Sequence, residues 1–149
     1  MLDDLLEKWA SVRSGLLTTI DKFSDTELAY RPSAYTYSVG ETMLHVAHEE
    51  DIELRYGLMR QLPELPPSYD AALYDTRSAI KAVLQQSHDQ TLAYLRRLGD
   101  DELQVEIEVA WGSAMRPFDL VWHVIEHEIH HRGELSLVLG LLGREGLDA

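Results

Sequence analysis

Apolar positions recur at helical spacing through four stretches of the chain. Between Asp3 and Lys22, the residues Leu5, Leu6, Trp9, Val12, Leu16 and Ile20 follow at intervals of one, three or four, which predicts an amphipathic helix. Asp3 or Asp4 suits the free amides of its first turn. A broken segment follows, with a short helical turn over Asp25–Tyr30 and a stop at Arg31-Pro32. Ser38-Val-Gly-Glu41 has capping-box spacing and opens a second helix, expected to run to about Gln61, before Pro63, Pro66 and Pro67. A third helix fits Asp70–Arg97 on the spacing of Leu73, Ile80, Val83, Leu84, Leu92 and Leu95, with Gly99 beyond its end.

The period then changes. Leu103, Val105, Ile107 and Val109 alternate with polar residues, so Asp101–Met115 reads as a half-buried strand or short hairpin that turns at Gly112-Ser113. A fourth helix starts at Pro117, a residue suited to the first helical position, and runs to about Leu139 before Gly140 and Gly143. No repeat or interdomain linker interrupts the pattern. Residues 1–149 therefore read as one all-α domain, a four-helix bundle with a hairpin or irregular connector before the last helix.

Composition narrows the chemistry. With 149 residues, 45% of them apolar, and fourteen Gly and Pro together, the chain can bury one sizeable core. It has no cysteine, which excludes disulfides, thiolate metal sites and a cysteine nucleophile. Twenty-six acidic against thirteen basic residues give a net charge of −13, a field that repels phosphate backbones and anionic lipid. The expectation is no nucleic-acid partner and no membrane partner. The N-terminus lacks the pattern of a signal peptide and no window reaches a membrane span, so a cytoplasmic location is expected.

Six of the seven histidines fall in two groups. His45 and His48 lie on the second helix; His123, His127, His130 and His131 lie on the fourth. His88 stands alone on the third and reads as a solvated surface residue. His123, His127 and His131 step by four, so neighbouring members share a helix face and two imidazoles one turn apart can converge on one ion. His127-Glu-Ile-His-His131 also matches the zinc-protease pattern H-E-x-x-H, but no histidine follows it to complete such a site, and Glu134, Glu145 and Asp148 are weak substitutes. A third ligand from the second helix is the better solution, from either His45 or His48. Three imidazoles suit zinc first, with nickel, iron or cobalt as alternatives.

Beside that set, Glu49 is a fourth ligand, an acceptor orienting an imidazole, or a solvated acid. Glu128 is expected at the surface, His130 facing outward or toward another subunit, and His123 as a pocket-lining group or proton shuttle. Tyr35, Tyr37, Trp111 and Trp122 are candidates for a pocket wall, with core packing expected for at least half of them.

The stretch His123-Val-Ile-Glu-His127-Glu-Ile-His-His131-Arg132-Gly133-Glu134-Leu135 resembles the C-terminal signature of the DinB/YfiT-like superfamily of metalloenzymes, a histidine, three residues, a second histidine, then Arg-Gly-Gln. Tyr37-Ser-Val-Gly-Glu-Thr-Met-Leu-His45-Val-Ala-His-Glu49 resembles the family's earlier signature, and the likeness covers essentially the whole chain. The resemblance implies an up-down-down-up bundle, often a homodimer, with a divalent metal held by His45, His127 and His131. Glu134 departs from the family glutamine. It accepts but cannot donate, so a hydrogen bond through the amide must change, while metal binding is not expected to.

Relatives of this kind include thiol transferases that use bacillithiol or mycothiol, thiol-dependent isomerases, hydrolases and stress-induced proteins. The resemblance therefore implies a small-molecule substrate and a metal-dependent S-transferase, with a low-molecular-weight thiol as cosubstrate. A metal-dependent hydrolase and a non-catalytic metal-binding stress-response protein are the alternatives. His123, Glu49 and His48 are the candidates for moving the proton.

Overall fold

The computed structural model describes residues 1–146. Four helices account for most of them: α1, Leu2–Asp21; α2, Val39–Glu50, continued by wider π-helical turns over Asp51–Leu58; α3, Arg77–Leu95; and α4, Pro117–Leu141. The capping box forms at the head of α2. Ser38 Oγ accepts from the Glu41 amide at 3.2 Å, and the Ser38 amide donates to Glu41 Oε2 at 2.6 Å. Pro117 occupies the first turn of α4.

Contact order along the helices fixes the topology. Trp9 and Arg13 meet Glu128 while Lys22 reaches Gly146, so α1 and α4 run parallel. Arg77 and Lys81 meet Asp25 and Asp21 at one end, and Arg13 meets Leu84 further along, so α3 runs against α1. Gly40 lies against Ile80 and, ten residues on, Glu50 meets His88, so α3 keeps the direction of α2. The result is up-down-down-up, with residues 59–76 making the long return between α2 and α3. None of these helices is long and apolar enough to cross a membrane.

Three segments differ from their sequence pattern. Residues 70–76 are not the first turns of α3. Only Ala71–Leu73 form a short 3₁₀ turn, and the helix starts after Thr76, whose Oγ1 accepts from the Ala79 amide. The alternating stretch pairs only at β1, Ile107–Glu108, and β2, Ala114–Met115, because Glu102–Gln104 coil into a 3₁₀ turn and Val105 points to solvent. The second helix widens after Glu50 and ends at Leu58, ahead of the prolines, with Arg60 at φ 50° reversing the chain. Gly57 sits under Trp111 there: a Cβ would lie 2.3 Å from its ring, so no side chain fits without moving the indole.

The core is two apolar clusters separated by a charged layer. Leu16, Ile20, Phe23, Met43, Leu44, Leu84 and Leu139 belong to one, and Leu5, Trp9, Leu54, Leu95, Leu120 and Val124 to the other. Between them Arg13, Glu50, His88 and Glu128 are all buried. This corrects two surface expectations. Glu128 is fully buried, its carboxylate taking hydrogen bonds from Trp9 Nε1 at 3.0 Å and Arg13 Nε at 2.9 Å. His88 is 6% exposed, stands edge-on to Trp9 at 4.5 Å and bonds Glu50 through Nδ1 at 3.2 Å.

Candidate metal centre

Because α2 and α4 run in opposite directions, residues that ascend one descend the other. His45, two turns past the Ser38 cap, faces His127 and His131 of α4. The Nε2 atoms of His45 and His127 are 3.1 Å apart, and those of His127 and His131 are 3.0 Å apart. One ligand atom from each of the three lies within 4.8 Å of the others. Tetrahedral coordination at zinc–nitrogen distances of 2.0–2.1 Å sets ligand nitrogens about 3.3–3.4 Å apart, and a right-angled pair about 2.9 Å. The two separations from His127 fall between those values, so the three imidazoles form a group that could hold one small divalent ion.

Electrostatics point the same way. His127 is pushed down to about 3 by burial first, then by the neighbouring charges of His131 and His45. His45 is lowered by burial and by His131. The neutral, metal-ligating form is thus the one the site favours. His127 Nδ1 is buried without a hydrogen-bond partner. By contrast, His131 Nδ1 lies 2.6 Å from Glu134 Oε2, the carboxylate–imidazole pairing that turns the other ring nitrogen toward a metal.

Glu134 therefore does more than replace a family amide: it backs a candidate ligand with a charge-assisted bond. Glu134→Ala is expected to weaken metal binding about 10–100-fold, the usual cost of losing such a partner, and Glu134→Gln less. Competition titration against a chelating dye measures both; equal affinity in all three proteins would remove Glu134 from the site.

A pH consequence follows from the low histidines. The unfolded chain binds protons near the ordinary value of 6.5, whereas native His127 resists them down to about 3. Stability contributed by the neutral rings is complete above 6.5 and lost as the pH falls toward 3. Each ring contributes at most about 1.4 kcal/mol per pH unit, less the screening at these half-buried positions. Urea midpoints of the metal-free protein are expected to fall between pH 7 and 5, above the range where carboxylates titrate. A flat profile would contradict the low His127 value.

The other sequence candidates lie around this centre. His48 Nε2 donates to the Pro66 carbonyl at 3.0 Å, tying α2 to the Pro-rich return. Together with His45, Tyr37 and Tyr69 it lines a small cavity of about 160 Å³. Glu49 and His123 form a pair one turn along the α2–α4 groove, Oε1 to Nε2 at 3.5 Å, with the His123 ring 6.3 Å from His127. Glu53 joins them as a third group, its carboxyl raised by burial and by the charge of Glu49 against the lowering effect of His123. His130 faces outward as expected, 3.3 Å from Glu134. Asp148 lies outside the described residues.

On the far side of His131 a larger cavity of about 650 Å³ opens between the 31–37 segment and the end of α4. Tyr35, Tyr37, Thr42, Leu137 and Glu134 are among its walls. The expectation that half of the four aromatics pack in the core is corrected: Tyr35 is 99% exposed, and Tyr37, Trp111 and Trp122 are at least 40% exposed. Tyr37 stands 5.3 Å from the His45 ring and borders both cavities.

Residues 1–148 match the DinB family. The chain belongs to that family. Among its relatives is the uncharacterized protein YjoA of Bacillus subtilis (strain 168), 23% identical over 129 residues, 85% of this chain and 81% of that one. The crystal structure of YjoA, a DinB-like protein, matches at a TM-score of 0.74, covering 98% of this chain and 96% of YjoA at 21% identity. Two further solved structures share the fold. Colibactin self-resistance protein ClbS, in complex with a double-stranded DNA, matches at 0.71 and 15% identity, over 93% of this chain and 95% of ClbS. A mycothiol-dependent maleylpyruvate isomerase matches at 0.63 and 13% identity, over 88% of this chain and 59% of the isomerase. A mycothiol-dependent enzyme thus shares this fold.

Proposed function

We propose that this DinB-family chain is a metal-dependent S-transferase acting on a small molecule, with a divalent ion, zinc first, held by His45, His127 and His131. The observation that carries the reading is the meeting of three imidazoles, with His127 Nε2 3.1 and 3.0 Å from the Nε2 atoms of His45 and His131, beside an open cavity. A bound zinc would supply a Lewis acid that favours the thiolate over the thiol. The protein's own groups do the rest. Glu49 and His123, 3.5 Å apart, form the relay that takes the thiol proton. The relay then releases it to solvent as a leaving group departs, or returns it to the α-carbon where the thiolate adds to an unsaturated carbonyl compound. His48, through its bond to the Pro66 carbonyl, holds the loop that walls the smaller cavity.

The thiol-dependent isomerase of the same fold supports a thiol cosubstrate. The charge of −13 favours a small molecule over nucleic acid, despite the shared fold of ClbS with its DNA. A cytoplasmic homodimer belongs to the same proposal. Trp122 and Ile129, two turns apart on α4 and each 41% exposed, support its contact face.

The test is to load the protein with zinc or nickel and offer bacillithiol, mycothiol or cysteine with an activated aryl halide or an unsaturated carbonyl compound. S-conjugates are read by mass spectrometry. Thiol-dependent conjugation, lost on chelation and lowered about 100-fold by Glu49→Gln or His123→Ala, is the expected result. Ester or amide cleavage without thiol would make the protein a hydrolase instead. Tight metal binding with no turnover of either kind would make it a metal-binding protein without a reaction.

A further inference from the structure

One guanidinium joins all four helices at the centre of the bundle. Arg13 of α1 donates from Nε to Glu128 Oε1 at 2.9 Å and from Nη2 to Glu128 Oε2 at 3.0 Å, gripping the α4 carboxylate with two bonds. The same Nη2 lies 2.8 Å from Glu50 Oε2 on α2, and Nη1 donates to the Leu84 carbonyl of α3 at 3.2 Å. Glu50 and Glu128 are both fully buried and Arg13 is 6% exposed. Burial works against charge at Glu50, but the His88 hydrogen bond and the Arg13 charge outweigh it and hold its carboxyl below the usual range.

The two gripped carboxylates come from the two helices that carry the histidines. Glu128 lies between His127 and His131 in sequence, and Glu50 follows His45 by five residues. We propose that Arg13 is a positioning residue for the three-histidine site: by holding Glu50 and Glu128 together it sets the rotation and spacing of α2 against α4. The inference rests on the proposed metal site and adds to it a group that touches neither metal nor substrate.

The physical need is one of tolerance. Side-chain tips stand about 5–6 Å from a helix axis, so a rotation of about 10° moves an imidazole nitrogen by about 1 Å. Metal–ligand distances tolerate about 0.2 Å. Apolar packing on either side, among residues such as Leu44 and Leu139 or Leu54 and Leu120, accepts small slides of one helix on another. A two-pronged arginine–carboxylate contact does not, because its bonds are directional and its carboxylates have no water to turn to.

The test compares cobalt(II) binding to the full chain, wild type and variants, at low temperature. The visible ligand-field spectrum reports geometry and competition with a chelating dye reports affinity. Arg13→Lys keeps the charge and loses the fork; Glu128→Gln keeps the shape and loses the charge. Leu103→Ala, in the 3₁₀ turn before β1 and so outside α2 and α4, opens a hole in the core and controls for general loosening. Unfolding curves of the metal-free proteins hold the comparison to folded chains.

Arg13→Lys and Glu128→Gln are expected to bind cobalt about 10-fold or more weakly with an altered spectrum, while Leu103→Ala keeps both wild-type values. A wild-type spectrum and affinity in Arg13→Lys would overturn the inference, as would an equal change in Leu103→Ala. If the wild type itself takes up no cobalt, the metal site fails and the inference falls with it, a distinct result.

Discussion

Alanine at His127 or His131 is expected to leave the protein without bound metal when it is purified free of chelators, against about one ion per chain in the wild type. His127 has the larger effect, because its Nε2 is the atom that both of the others approach, at 3.1 and 3.0 Å. His45→Ala removes the α2 contribution and leaves only two imidazoles, one turn apart on α4. Each loss should exceed the roughly 10–100-fold cost of removing an outer partner such as Glu134, because a ligand bond is lost rather than tuned. His48→Ala separates this reading from one in which every histidine of α2 matters equally. Its Nε2 is engaged by the Pro66 carbonyl, so its metal content should match the wild type. Elemental mass spectrometry of the five proteins measures this. Metal retained in His127→Ala, or absent from the wild type and not taken up on titration, would remove the centre from the protein. Metal should also raise the unfolding midpoint of the wild type, since it binds the native state alone, and not that of His127→Ala.

Much of this centre was legible in the chain. Helical spacing places His127 and His131 one turn apart, and the Ser38–Glu41 box fixes where α2 begins and hence which of its faces carries His45. Spacing by itself leaves His45 and His48 open, because both stand within a turn of each other. The difference lies in a contact with Pro66, eighteen residues away, which no local pattern encodes. The wide turns after Glu50 were equally hidden, since their hydrophobic spacing over a few residues matches that of an α-helix.

The charged layer left a signal that a hydrophobic reading passes over. On α1 the buried series runs Leu5, Trp9, Arg13, Leu16, Ile20, so Arg13, and not Val12, fills the core position between Trp9 and Leu16. Glu50 continues the buried series of Met43, Val46 and Ala47, and Glu128 that of Val124 and Ile125. His88 stands between Leu84 and Thr91 in the same way. Each alone looks like an exposed polar residue at the edge of a stripe. Four such interruptions, one per helix, mark a shared layer, and the opposite charges of Arg13 against Glu50 and Glu128 say how it is satisfied.

Arg13→Ala is expected to cost about 3–5 kcal/mol of folding stability, because it leaves two fully buried carboxylates facing each other without their cation. That is a large share of the roughly 5–15 kcal/mol available to a domain of this kind. Lys81→Ala provides the scale. Its ion pair with Asp21 is as short, at 2.5 Å, yet both side chains are more than a third exposed, and pairs in water contribute about 0–1 kcal/mol. Urea unfolding at pH 7 therefore separates distance from burial: equal losses in the two variants would show that the charged layer is no more than an ordinary ion pair. The pH dependence identifies the cause. In Arg13→Ala the orphaned Glu50 loses the charge that helps hold its carboxyl low against burial, so acid relieves it by protonation. The gap between variant and wild type should narrow as the pH falls from 7 toward 4, since the histidine contribution is common to both and cancels in the difference. A gap that stays constant would assign the loss to the packing of the arginine stem, and one that narrows assigns it to the two buried charges it holds.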